Sequence, residues 1–235
     1  MTSQSSSGGS KALRTGAIIL FALAVFFNLL GGIGTSCVAL NPTGWSPDMA
    51  KLAPYQWLYI LLMLSATVVA AWGIVVTIGL ARGKRGVYRN ALLVLALSAL
   101  CAGVQTFVSI ALRGKGAPQN MRFYLTLFVL IVFLLLRLPP VWRLINGFLS
   151  GDKAGWQTPT GLAAFVGGLV LLTTPLWAGP THIGPDGANW VNVLRLPLLA
   201  GGALLTCAGA GMLRRAGQEQ PAPLAETRRF EVAPQ

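Results

Sequence analysis

Acidic residues are few in this chain. Asp48, Asp152, Asp186, Glu219, Glu226 and Glu231 are its complete set across 235 residues. All six fall in polar loops or in the C-terminal tail, outside the long apolar runs. Acid–base catalysis and ion-coupled transport lean on carboxylates held inside the protein. A reading as an intramembrane enzyme or an ion-coupled carrier therefore starts from a deficit. Histidine is scarcer still, with His182 alone. One imidazole is too few for a closed zinc site of four ligands or for bis-histidine haem. His182 and Asp186 share the Gly/Pro-rich stretch from Gly179 to Trp190, which reads as an ordinary turn. Cys37, Cys101 and Cys207 show no paired spacing, so neither a disulfide framework nor a dithiol redox pair is expected. They read as small buried hydrophobes.

Long apolar runs are what the chain does have. Hydrophobic residues make up 54% and charged residues 10%, where a soluble domain carries about 25% charged. A bilayer core about 30 Å thick needs roughly 20 apolar residues per helix. Six runs meet that length: Leu13–Leu40, Trp57–Ala81, Asn90–Leu112, Phe123–Phe148, Gly161–Ala178 and Trp190–Leu213. Their apolar residues are continuous and do not alternate, which favours helices over barrel strands. The fold class expected is all-α, a polytopic membrane protein with six transmembrane helices in one bundle. A kink or break is expected at Pro139–Pro140, where two backbone donors are lost.

Residues 1–12 read as a disordered tail, 13–215 as the six-helix domain and 216–235 as a flexible cytoplasmic tail. Lys11 and Arg14 before the first run resemble a signal-peptide flank. The run is too long for one, so it reads as a retained first helix.

The net charge of +12 is scattered at helix ends. It points to anionic lipid headgroups as partners and away from nucleic acid. Lys11, Arg14, Arg82, Lys84, Arg85 and Arg89 sit on one side of the first spans, which predicts both termini in the cytoplasm, and the Gly/Ala/Leu-rich composition with short tails suits a bacterial inner membrane. The third loop is the exception, since it places Arg113, Lys115 and Arg122 outside. Two basic loops look alike, Ala81-Arg-Gly-Lys-Arg-Gly and Leu112-Arg-Gly-Lys-Gly, but the match is too short to mark a repeat.

Three residues stand out as a ligand site: Arg137, Gln105 and Asn28. An arginine at mid-bilayer costs at least about 2.5–3.5 kcal/mol. Either the helix continues past the prolines and holds Arg137 at mid-depth, or it ends near Leu138 and Arg137 reaches the headgroups. In the first geometry Arg137 would meet an anion, a quinone or a partner's carboxylate. Gln105 belongs to a polar face of the third run with Ser98, Cys101 and Ser109, and Asn28 shares a face with Gly32 and Thr35. Such groups act as packing glue or line a polar cavity. Small residues at every fourth position, as in Ala203, Cys207 and Gly211, mark expected close helix contacts, within the bundle or against another subunit. Ala66 with Ala70, and Gly31 with Thr35, repeat the pattern.

The function expected is a non-catalytic integral-membrane subunit or assembly component of a larger membrane complex, of electron-transport or energy-converting type, with other membrane subunits as partners. The alternative is a small-solute or lipid transporter with its polar site near Asn28, Gln105 and Arg137. A membrane enzyme ranks last. No intrinsic cofactor or metal is expected, and a lipid or quinone is the ligand class that fits.

Overall fold

The structure, a computed structural model, describes residues 8–116, 119–149, 156–179, 182–184 and 186–218. Nine helices occupy the described residues, joined by 3₁₀ turns and one isolated bridge between Ile183 and Asn189. They are α1 (Gly8–Leu40), α2 (Pro47–Ala50), α3 (Gln56–Ala81), α4 (Val87–Arg113), α5 (Gln119–Leu136), α6 (Pro139–Leu144), α7 (Gln157–Ala178), α8 (Trp190–Val193) and α9 (Arg195–Gln218). Six of them, α1, α3, α4, α5, α7 and α9, are long and apolar enough to cross a bilayer. The protein is an integral membrane protein of six helices.

Three boundaries differ from the sequence expectation. The expected N-terminal tail is already helical from Gly8, because the good helix formers Lys11, Ala12, Leu13 and Arg14 carry α1 outward. Residues 1–7 and 219–235, most of the two expected tails, lie outside the described residues. The fourth run does not continue to Phe148. Leu138 precedes a proline and takes an extended ψ of 135°, so α5 stops and Pro139 opens α6 at its first turn. The last run is likewise split, with Leu194 separating α8 from α9.

The look-alike loops have a common physical cause. Arg82 caps α3 and is followed by Gly83 at φ 64°, and Arg113 ends α4 before Gly114 at φ 69°. Both glycines take the left-handed conformation that stops a helix. The shared Arg-Gly-Lys is the same stop signal used at opposite ends of the bundle.

Helices α1, α3, α4 and α5 form the main bundle. Its basic end, where α1 starts, is packed with aromatics. Tyr88 touches Phe133, Trp142 and Phe148, and its hydroxyl donates to the Phe133 carbonyl. Arg14 crosses from α1 to the carbonyls of Leu80 and Ala81 at 3.1 and 3.0 Å, satisfying the end of α3. At the far end a smaller cluster joins Val38, Ala39, Leu52 and Tyr59. Asp48 there bonds Lys51 at 2.9 Å and Lys115 at 3.3 Å. Lys51 first, then Lys115, holds its carboxyl below the usual carboxylate range.

The α7–α9 pair is a hairpin laid against this bundle. Phe27 of α1 meets Trp177 of α7, and Arg82 stacks over Trp156 at 5.0 Å. Glycines let the two backbones touch. A Cβ on Gly168 would lie 2.6 Å from Thr206 N, and one on Gly209 would lie 2.5 Å from Phe165 N. The small face expected on the last helix does not pack within the bundle. Gly202 and Gly209 meet α7, while Ala203, Cys207 and Gly211 are exposed.

Candidate functional site

Between the two apolar clusters lies a layer of buried polar side chains: Asn28 and Thr35 on α1, Gln105 and Thr106 on α4, Arg122 and Thr126 on α5. Helical periodicity places each on an inward face. Asn28 and Thr35 are seven residues apart, and Arg122 heads the stripe Thr126, Val129, Phe133 and Leu136 that forms the buried face of α5.

Three hydrogen bonds run through the layer in series. Arg122 Nη2 donates to Gln105 Oε1 at 2.8 Å, Gln105 Nε2 donates to Thr35 Oγ1 at 2.8 Å, and Thr35 Oγ1 donates to the Gly31 carbonyl at 2.6 Å. The series ties α5 to α4 and α4 to α1. Because a guanidinium only donates, Gln105 must turn its oxygen to Arg122 and its amide nitrogen to Thr35. Asn28 adds a fourth tie, from Nδ2 to the Ala66 carbonyl of α3 at 3.0 Å. Nearer the far end, Tyr59 and Ser109 share a hydrogen bond of 2.8 Å between α3 and α4.

Gly31 explains how a guanidinium enters this interface. A Cβ there would stand 2.4 Å from Arg122 Nη1 and 2.5 Å from its Cδ. The arginine stem and head lie on the bare backbone of α1. Gln105 is eight residues from the end of α4, about 12 Å of helix, so the group it bonds lies well inside the span.

Of the residues singled out in the sequence, Asn28 and Gln105 line this seam and Arg137 does not. Arg137 is exposed in the turn after α5, its guanidinium 4.7 Å from the Trp142 ring. The break at Leu138 puts it at the basic end, as in the second geometry considered above. The buried arginine is Arg122, which the sequence reading counted among loop cations. Its signal appears once the inward face of α5 is known: the buried stripe, extended back by one turn, arrives at Arg122.

Neither His182 nor Asp186 approaches this layer. The ring Nδ1 of His182 lies 2.8 Å from the Ala178 carbonyl, and Asp186 accepts from the Ala188 amide at 3.0 Å. Both serve the turn before α8. Among the described residues no three His, Cys, Asp or Glu side chains gather as a metal cluster would need.

The polar layer offers a fixed positive charge, two amides and hydroxyls. It offers no group that exchanges a proton near neutral pH, since arginine keeps its own. Its chemistry is to hold helices together and to present a cation. No known protein family, curated protein or solved structure matches the chain.

Proposed function

We propose that this protein is a non-catalytic integral-membrane subunit of a larger membrane complex, joined to its neighbours through the α7–α9 hairpin. The observation that carries this reading is the isolation of α9. It buries only Gly202 and Gly209, both against α7, and leaves Ala203, Cys207 and Gly211 uncovered along one face. Small residues on a membrane helix let another helix approach its backbone. The spent hydrogen-bonding capacity of Gln105 and Thr35 supports a structural role over a reactive one. The partner type we favour is an electron-transport or energy-converting assembly in a bacterial inner membrane.

The proposed orientation puts the basic end, and both termini, in the cytoplasm. Arg122 no longer counts against it, because it is buried in α5, which leaves Lys51, Arg113 and Lys115 as the cations of the far end, with Asp48 shared between the two lysines. At the same end Arg85 and Arg143 flank a groove of about 540 Å³ lined with Trp142 and Asn146, which suits an anionic lipid headgroup.

Extraction of native membranes in a mild detergent tests the reading. The expected result is migration with other chains at fixed stoichiometry, lost in a Cys207→Trp variant that still folds. A stable lone monomer overturns it.

A second reading, a small-solute or lipid transporter, is favoured by one observation: Arg122 Nε and Nη1 and Asn28 Oδ1 are buried without hydrogen-bond partners. It shifts the expected site from Arg137 to Arg122, with Gln105 and Asn28 retained and a lipid or quinone as the ligand class. Uptake into reconstituted vesicles that is unchanged by Gln105→Leu sinks it.

A further inference from the structure

We propose that Arg122 forms an enclosed binding site for a small monovalent anion of the halide class. The site would lie where α5 meets α1 and α4. This goes beyond the subunit reading and does not depend on it.

The first ground is an unmet charge. The guanidinium is a permanent cation, and Arg122 is 4% exposed. Only its Nη2 has an acceptor, the neutral Gln105 amide, while Nε and Nη1 are buried with no hydrogen-bond partner. Buried unpaired donors are costly, and more so when they carry charge. Arg122 also sits in the first turn of α5, where the helix dipole is positive and disfavours a cation further.

The second ground is that the described residues supply no counter-charge to it. Among the described residues no Asp or Glu lies in a spanning helix. Asp48, the acid in the loop on the same side of the bundle, is exposed and bonded to Lys51 and Lys115.

Size and valence follow from the surroundings. Gly31 gives Arg122 a place on the α1 backbone with no side chain between them. Thr35 and Gln105 are engaged with each other. One guanidinium in a closed interface matches one negative charge on a compact ion. With Arg122 only 4% exposed, burial favours a compact ion over an extended lipid headgroup.

The test is thermal unfolding of the purified full-length protein in detergent, titrating chloride against gluconate at constant ionic strength. In the wild type, chloride at about ten times its dissociation constant raises the midpoint by about 3–5 °C. In Arg122→Gln the midpoint does not respond. Bromide-soaked crystals of the wild type give a readout that does not depend on the variant's folding, an anomalous peak beside Arg122. A wild-type midpoint indifferent to chloride, an equal response in Arg122→Gln, or bromide crystals without that peak overturns the proposal and leaves buried water as the partner of Nε and Nη1.

Discussion

Arg122 and Gln105, seventeen residues apart, meet through a single 2.8 Å hydrogen bond that carries a guanidinium into the membrane-spanning part of the bundle. The pair depends on two unlike features. A glycine on α1 provides room for the arginine, and a threonine on α1 accepts from the amide nitrogen. Removing either member of the pair therefore has a different effect from removing both.

A double-mutant cycle reads this directly. Gln105→Leu strips its one acceptor among the described residues from a buried cation and lowers stability by about 2–4 kcal/mol. Arg122→Leu leaves a neutral amide oxygen unpaired and costs about 1–3 kcal/mol. The double variant Gln105→Leu/Arg122→Leu returns close to the wild type, because an apolar pair replaces both partners. Unfolding in detergent followed by circular dichroism gives the three values. Additive losses would mean the two side chains act independently.

The hairpin makes a steric prediction. Gly209→Val places a side chain where Phe165 N and the Gly161 carbonyl stand 2.5 and 2.6 Å from a Cβ, and backbone cannot give way as a side-chain end can. After protease cleavage between α7 and α9, the C-terminal fragment stays bound in the wild type and separates in Gly209→Val on a sizing column. Gly211→Val has open space at its Cβ and leaves the fragment bound.

These contacts also mark how far the sequence could be read. Continuous apolar runs identified six helices, because a bilayer imposes length and composition on each span. The Pro139–Pro140 break was readable from proline chemistry alone. What pairs with what was not. Gly161 with Gly168, and Gly202 with Gly209, repeat at seven residues and are the real contact faces of α7 and α9. The fourfold spacing of Ala203, Cys207 and Gly211 is equally regular, and nothing local ranks one stripe above the other. Arg122 was obscured for a similar reason. Gln119, Asn120 and Arg122 look like loop residues until the inward stripe of α5 is known. Gln105 and Asn28 emerged from the sequence because a polar group amid apolar neighbours is visible without its partner.

Asp48 makes a prediction in pH. Its folded carboxyl is held below its ordinary value by Lys51 first and Lys115 second. A lowered folded pKa means that the tie between the two far-end loops is complete above the ordinary carboxylate value and is lost as pH falls through the lowered one. Carbon-detected NMR titration of Asp48 checks the sign. Lys51→Gln and Lys115→Gln each move the midpoint upward, Lys51→Gln by more. A downward movement in either variant contradicts the assignment.

Arg137 gives the sharpest contrast with Arg122. It is exposed beyond the end of α5 and its guanidinium rests on the Trp142 ring. Losing an exposed cation–π contact costs about 0.5–1 kcal/mol, so Arg137→Leu lowers stability by no more than that. Trp142→Ala costs about 2 kcal/mol or more, since the indole also packs edge-on against Tyr88 at 4.6 Å. Were Arg137 instead held at mid-depth, replacing it by leucine would make insertion of its helix more favourable by about 2.5–3.5 kcal/mol. A translocon insertion assay on the 119–149 segment separates the two cases. A gain of that size would place the arginine inside the bilayer and overturn the break at Leu138 as the feature that sets its position.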